Sequence, residues 1–130
     1  MQYSSGHALL DCGCSRTVCG VSWLNDYMGT LTDYDKSSIV ESDSDASFTF
    51  EDGVNISSLK RVVLPCYIHG KRCEIETDVV DCKVPLLLSK KAMKRGKMCL
   101  DFEKDTVVVG GKPLKLNVSL VGHYLMPLSL

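Results

Sequence analysis

Apolar and polar residues alternate over short stretches through most of the chain after residue 47, and turn residues separate these stretches. The alternation predicts strands at 48–50, 59–68, 72–80, 84–88, 98–102, 106–109, 114–120 and 123–127. Tight turns are predicted at Asp52-Gly53 and His69-Gly70, where the residue types suit hairpins. Many short strands joined by tight turns predict a small closed β-barrel or sandwich.

Two helices interrupt this pattern of strands. From Ser15 to Leu31, apolar residues recur every three to four positions, which is typical of a packed amphipathic helix with Ser15 or Thr17 as its N-cap. A brief second helix is predicted from Lys90 to Arg95, with Ser89 as its N-cap. The chain is therefore expected to be all-β with one or two short helices.

Residues 32–47 differ from the rest of the chain because acidic residues stand there among serines with few apolar anchors. The acidic positions are Asp33, Asp35, Glu41, Asp43 and Asp45. This composition predicts a mobile acidic loop, and we interpret it as a solvated connector rather than a ligand site.

Length and composition restrict the class of protein. A chain of 130 residues predicts a single domain over 1–130, and the 45% hydrophobic and 24% charged residues are ordinary for a globular protein. The net charge of −1, with both signs mixed, argues against nucleic acid as a partner, and no apolar run is long enough to cross a membrane. Seven cysteines at irregular spacing indicate reduced thiols, which predicts a cytoplasmic protein.

The candidate chemistry lies near the N-terminus, where a short apolar run leads into a carboxylate at Asp11. Gly13 allows the chain to turn back tightly and places no Cβ in the way of a ligand. The remaining positions of this turn are Cys12, Cys14 and Ser15. Asp-x-Gly alone is a common turn sequence, so its context decides its meaning.

The order of landmarks resembles the retropepsin-like aspartic proteases, and in particular the protease domains of retrotransposon polyproteins. The resemblance covers Ala8 to Leu128 and rests on the Asp11 turn, on Thr17-Val-Cys-Gly20 with Trp23-Leu24, on Phe48-x-Phe50-x-Asp52-Gly53, on Asp78-Val-Val80 and on Pro85 to Ser89. It implies a closed β-barrel of the retropepsin-like acid protease type, with one lobe per chain. It also implies that Asp11 is catalytic and that residues 48–59 form a flap, in which Phe48, Phe50, Asp52 and Gly53 bind substrate.

Peptide hydrolysis by this route requires two carboxylates that share one proton, and neither a metal nor a cofactor is expected. One carboxylate activates a water while the other protonates the scissile carbonyl. Asp11 is the one convincing Asp-x-Gly aspartate, because Asp52 suits a flap turn and Asp78 and Asp81 lack the following glycine. The second aspartate is therefore expected from another copy of the chain, which predicts a homodimer that cleaves extended peptide segments of a polyprotein.

Cys12 departs from the resemblance, because the family usually carries Thr or Ser there, whose hydroxyl forms a hydrogen bond across the dimer. A thiol is a weaker donor, so reduced activity is expected, and a non-catalytic peptide- or partner-binding module on the same fold is the alternative. A structural metal site built from Cys12, Cys14 and Cys19 with His7 is a third possibility. It is disfavoured because paired Cys-x-x-Cys motifs are lacking.

The end of the chain bears on how the dimer would form. Residues 122–128 are apolar and strand-like, and an unpaired strand at the chain end would invite association. The resemblance implies that such terminal strands are shared between subunits, whereas the alternative is that this segment closes its own subunit. A polyprotein origin also makes a virus-like particle an alternative setting to the open cytoplasm.

Overall fold

The computed structural model describes residues 6–50 and 52–129, which form thirteen strands and three short helices. The first half contains β1 (His7–Asp11), β2 (Val18–Gly20), α1 (Val21–Met28), α2 (Asp33–Ser37), β3 (Val40–Ser42), β4 (Ser47–Thr49), β5 (Asn55–Ser57) and β6 (Lys60–Ile68). The second half contains β7 (Lys71–Val80), β8 (Leu86–Ser89), α3 (Lys90–Arg95), β9 (Cys99–Asp101), β10 (Thr106–Val109), β11 (Lys112–Lys115), β12 (Asn117–Val118) and β13 (Tyr124–Pro127). No described helix has the length and apolar character that crossing a membrane requires.

Eight of these strands form one mixed sheet in the order β12-β13-β1-β8-β2-β7-β6-β3. The hairpin of β6 and β7 is its longest pairing and runs from Ile68 opposite Lys71 to Lys60 opposite Val79. Its two-residue turn suits the strand twist because His69 and Gly70 both have positive φ, at 54° and 73°. The hairpin predicted on either side of His69-Gly70 is therefore present.

The predicted closed barrel is wrong, because the large sheet is open. Its edges are β12 and β3, which lie at opposite ends of the strand order, and the remaining strands form two separate sheets, β11-β10-β9 and β4-β5. A barrel closes only when its first and last strands pair with each other. The sequence pattern could not decide this point, since open and closed sheets are built from the same short alternating strands.

The first helix also begins later than the sequence pattern predicts. Val18–Gly20 forms β2, and α1 starts at Val21 with Gly20 as its N-cap. A Cβ on Gly20 would lie only 2.1 Å from the carbonyl oxygen of Cys82. The close approach of residues 82–84 thus explains the glycine. Val18–Gly20 is extended because it pairs with β7 and β8, so neither Ser15 nor Thr17 caps a helix.

Residues 32–47 are not a continuous loop, because they contain α2 and β3. The hydroxyl of Thr32 accepts a hydrogen bond from the backbone N–H of Asp35 and so caps α2. Asp35 is only 3% exposed, and its carboxylate accepts hydrogen bonds from the Tyr67 hydroxyl at 2.8 Å and from Arg72 Nε at 3.4 Å. These partners come from β6 and β7, so local composition could not reveal them.

The second predicted helix is confirmed with its predicted bounds. The Ser89 hydroxyl accepts a hydrogen bond of 3.1 Å from the backbone N–H of Ala92, as an N-cap does, and Gly96 follows the last helical residue. This helix directly follows β8, so it begins next to the end of β1 in the sheet.

The core lies on both faces of the large sheet. The main cluster, which contains Trp23, Tyr27, Leu64 and Met126, also takes Ala8 and Leu10 from β1 and Leu86 and Leu88 from β8. A second cluster consists of Leu9, Val18, Val80 and Leu87. Because side chains alternate along a strand, β1 and β8 are covered on both faces, which explains why their sequences are continuous apolar runs.

The C-terminal strand lies inside the sheet rather than at an unpaired edge. β13 pairs with β1 on one side and with β12 on the other. The backbone of Leu128 adds hydrogen bonds to Gly6 and to Tyr67, at 2.9 and 2.8 Å. The expectation of a free terminal edge is therefore wrong, and this segment completes the sheet of its own chain.

Candidate active site

Asp11 is the last residue of β1, an inner strand that pairs in parallel with β8, where Ser89 stands opposite Asp11. The backbone N–H of Cys14 donates to the Asp11 carbonyl at 3.1 Å and closes a turn over residues 11–14. Together with Ser15 we call this segment the 11–15 turn. The backbone N–H of Gly13 donates to Oδ1 of the Asp11 carboxylate at 3.0 Å. This bond fixes the orientation of a partly buried carboxylate at the point where the chain leaves the sheet.

Of the two roles that its residue type indicates for Gly13, the backbone conformation does not require one, and the other concerns the space beside the carboxylate. Gly13 does not adopt a positive φ, so the backbone conformation does not require glycine. A Cβ at this position would lie 3.4 Å from Oδ1 of Asp11. The absence of a Cβ therefore leaves this side of the carboxylate oxygen uncovered.

The hairpin of β4 and β5, which we call the 47–57 hairpin, packs on the same side of the sheet as Asp11. Its residues Phe48, Phe50 and Ile56 contact the second cluster, to which Leu9 belongs. Leu9 and Asp11 are two residues apart on β1, so their side chains leave the same face of the strand. The structure thus brings together the turn and the hairpin that were predicted from separate parts of the sequence.

The tip of this hairpin has the predicted turn residues. Gly53 has a φ of 79°, which glycine adopts without strain, and Asp52 Oδ1 accepts a hydrogen bond of 3.0 Å from the backbone N–H of Val54. The backbone N–H of Gly53 also donates to the Phe50 carbonyl at 2.8 Å. A flap role for this hairpin stays a prediction.

Thr17 and Ser89 hold the end of the 11–15 turn against β8 and α3, and their pairing was not predicted. The Thr17 hydroxyl donates to the Ser89 hydroxyl at 3.1 Å and accepts from the Ser89 backbone N–H at 3.1 Å. Both residues are buried. Ser89 was recognisable as a helix cap, but nothing near Thr17 in sequence indicates its partner.

Asp78 is a second acidic residue near the turn, and its burial was not predicted from the sequence. Its side chain is 4% exposed, and its carboxylate accepts hydrogen bonds from the hydroxyls of Ser44 and Ser58. It also forms ion pairs with Arg61, at 3.6 Å, and Arg16, at 3.9 Å. These four partners compensate the charge of a carboxylate that is buried near the end of β7.

The cysteines near the turn have different environments. Cys12 is exposed, whereas Cys14 is partly buried and its thiol donates to the Arg16 carbonyl at 2.7 Å. Burial raises the pKa of the Cys14 thiol, and the nearby charge of Asp11 raises it further. Cys19 is fully buried, and burial raises its pKa to about 12. Within the described residues, no group of three histidine, cysteine or acidic side chains is placed to hold a metal ion.

Two cavities lie beside the turn. The larger, of about 580 Å³, is lined by Thr17, Asp78 and Ser89 together with parts of β6, β7 and α3. A shallower one of about 430 Å³ is bordered by residues 12–15 and three lysines of α3, namely Lys90, Lys91 and Lys94. Asp11 lines neither of them, so neither encloses the carboxylate on which the candidate chemistry depends.

In the part of the chain that the structure describes, an inner strand ends in an Asp-x-Gly turn, and a hairpin packs on the same face of the sheet. The chain is similar to the crystal structure of the retroviral protease-like domain of Ddi1 from Leishmania major, with a TM-score of 0.56 over 83% of this chain and 81% of that chain. The two sequences are 13% identical, so this likeness shows the fold alone. No protein-family model and no curated protein matches the chain.

Proposed function

We propose that this chain is an aspartic endopeptidase that acts as a homodimer on extended peptide segments. The observation that carries the proposal is the Asp11 carboxylate, which the Gly13 amide orients at the end of an inner strand of a retropepsin-like fold. The 47–57 hairpin on the same side of the sheet supports a peptide-binding groove between hairpin and turn. A peptide could be held there by strand addition.

The environments of the other nearby carboxylates support a dimer. Asp78 is engaged by two arginines and two serines, and Asp52 accepts a hydrogen bond within the hairpin turn. Both groups thus have hydrogen-bond or ion-pair partners of their own. We propose that the second carboxylate is Asp11 of another copy, related by a twofold axis.

The reaction that we propose uses a water molecule held between the two Asp11 carboxylates. The ionised carboxylate takes a proton from the water, and the protonated one donates a proton to the carbonyl oxygen of the scissile peptide bond. The oxygen of the deprotonated water bonds to the carbonyl carbon and gives a tetrahedral intermediate. The C–N bond then breaks as the leaving nitrogen takes the proton that the first carboxylate had accepted from the water. The Gly13 amide keeps each carboxylate in position, while the hairpin would cover the bound peptide.

The natural substrate that we propose is a polyprotein of a retrotransposon in which this domain is embedded, processed in the cytoplasm or in a virus-like particle. A second candidate function is a peptide-binding module without activity. The position of Cys12 favours it, because the exposed thiol stands where the family resemblance calls for a hydroxyl that joins the two subunits.

A peptide-library cleavage assay at mildly acidic pH tests the proposal by comparing the wild type with Asp11→Asn. We expect the substitution to abolish cleavage and to leave the fold intact, and pepstatin-type inhibitors to compete with substrate. Asp101→Asn is the matched control, because Asp101 Oδ1 likewise accepts backbone hydrogen bonds, from Glu103 and Lys104, but lies outside the site.

Cleavage by Asp11→Asn at the wild-type rate would contradict the assignment. Peptide binding without cleavage by the wild type would favour the binding module instead. Sedimentation of the wild type tests the dimer separately.

A further inference from the structure

Asp78 carries a buried charge that the proposed reaction does not use. It lies on β7, and its backbone N–H donates to the Thr17 carbonyl at 3.1 Å, directly beyond the 11–15 turn. Because an isolated buried carboxylate is costly, such a group persists where its partners compensate it. The positions of those partners in the chain suggest what Asp78 does.

The two serines that bind Asp78 stand on either side of the 47–57 hairpin. Ser44 precedes β4, and Ser58 directly follows β5. Both hydroxyls lie within hydrogen-bond distance of the same oxygen, Oδ1. The single proton of Ser58 is shared between Oδ1 at 3.0 Å and the Lys60 carbonyl at 2.9 Å. One carboxylate oxygen thereby joins the two ends of the hairpin at its base.

The other contacts of Asp78 connect this base to the active-site side of the sheet. Arg16, the first residue after the 11–15 turn, places Nη1 3.9 Å from Oδ2, and Arg61 of β6 places Nε 3.6 Å from Oδ1. Arg61 also donates to the Ser44 hydroxyl at 3.3 Å. Hydrogen bonds to a charged acceptor are stronger than neutral ones, which suits a group that joins several segments.

We propose that Asp78 is a positioning residue that holds the base of the 47–57 hairpin in a fixed relation to the catalytic turn. This inference deepens the proposed function and rests on it. A hairpin released at its base must lose more conformational freedom when it covers a peptide, so substrate binding weakens. Asp11 itself keeps its Gly13 hydrogen bond, so the chemical step changes little.

The double variant Ser44→Ala/Ser58→Ala tests the proposal without removing any charge. Loss of two hydrogen bonds to a carboxylate is expected to raise KM about tenfold and to change kcat less than about twofold. The same variant should speed hydrogen exchange of the amides in residues 47–57. The matched control is Ser38→Ala, because Ser38 contacts Arg72 at 2.8 Å beside the other buried carboxylate, Asp35, away from the hairpin.

A second pair of variants separates positioning from general stability. Asp78 and Asp35 are both 3% exposed and each pairs with arginine, so Asp78→Asn and Asp35→Asn should both lower the free energy of unfolding. Only Asp78→Asn should raise KM and speed exchange in residues 47–57. An equal rise in KM for both variants would show a merely structural role and would overturn the proposal.

The outcomes also distinguish this inference from the proposed function. An unchanged KM in Ser44→Ala/Ser58→Ala overturns the positioning role while Asp11→Asn still tests catalysis. If the wild type cleaves no peptide, the proposed function fails, and the hydrogen-exchange comparison still decides whether Asp78 holds the hairpin. Unchanged exchange in residues 47–57 would then overturn the inference as well.

Discussion

The side-chain hydroxyl of Thr17 and the backbone N–H of Ser89 form a hydrogen bond of 3.1 Å across 72 positions of sequence. Thr17 immediately precedes β2, and Ser89 ends β8 and caps α3. The Thr17 hydroxyl also donates to the Ser89 hydroxyl, which in turn accepts from Ala92. Buried hydrogen bonds between Thr17 and Ser89 thus hold the segment after the 11–15 turn against the start of α3.

Thr17→Val should lower the free energy of unfolding by about 1–3 kcal/mol, because it leaves the buried N–H of Ser89 without its acceptor. Valine has nearly the same shape, so packing is preserved and the loss reports the hydrogen bond. Urea unfolding measures the effect. Thr49→Val, at an exposed position of β4, is the control and should change stability by less than about 0.5 kcal/mol. Equal stability of the two variants would contradict the role given to Thr17.

Gly20→Ala should be among the most damaging small substitutions in this chain. The added Cβ would lie 2.1 Å from the Cys82 carbonyl oxygen, so β2 and the 82–84 segment must move apart, at a cost of about 3 kcal/mol or more. Thermal unfolding tests this expectation. In Gly29→Ala the nearest atom would be 3.4 Å away and φ is −64°, so that variant should stay within about 1 kcal/mol of the wild type. If Gly20→Ala unfolds at the same temperature as the wild type, the close approach of Gly20 to the Cys82 carbonyl would be refuted.

Stability should fall at alkaline pH. Burial raises the pKa of Cys19 and of Cys66 from an ordinary value of 9.0 to about 12, so these thiols stay protonated in the folded chain where the unfolded chain ionises. Their contribution is fully present below pH 9 and is lost as pH rises toward 12, at up to about 1.4 kcal/mol per pH unit for each thiol. Burial also raises the pKa of Tyr27, which adds to the decline.

Denaturant unfolding as a function of pH measures this decline, and two cysteine variants assign it. Cys66→Ala should make the slope of unfolding free energy against pH less steep, by up to about 1.4 kcal/mol per pH unit, because one titrating thiol is removed. Cys99→Ala is the control because Cys99 is exposed, and it should leave the slope unchanged. A slope that does not differ between Cys66→Ala and the wild type would exclude Cys66 as a source.

Cys12→Ser should tighten the proposed dimer by about 1 kcal/mol, the usual contribution of one neutral hydrogen bond, because a hydroxyl is a better donor than a thiol. Sedimentation over a dilution series and the concentration dependence of cleavage both report this change. Cys99→Ser replaces another exposed cysteine and serves as the control. An unchanged or weaker dimer in Cys12→Ser would indicate that Cys12 packs as a small apolar residue.

Features that depend on neighbours in sequence were predictable. The turn at Asp11, the hairpin with Asp52-Gly53 at its tip, the turn at His69-Gly70 and the helix capped by Ser89 are all present. Each is formed by hydrogen bonds and backbone preferences within a few residues, so residue type alone indicates it. The candidate catalytic group was also visible at this level, because a carboxylate at the end of an apolar run is a local pattern.

Features that depend on distant segments were decided only by the tertiary structure. Val18–Gly20 is a strand because it fits between β7 and β8, despite its helical spacing of apolar residues. Asp78 is buried because Ser44, Ser58 and two arginines from other segments surround it. The sheet stays open because its short edge strands, β12 and β3, do not pair with each other. The physical reason is the same in each case. The strands that pair with a given strand, and the groups that compensate a buried charge, are distant in sequence and become neighbours only when the chain folds.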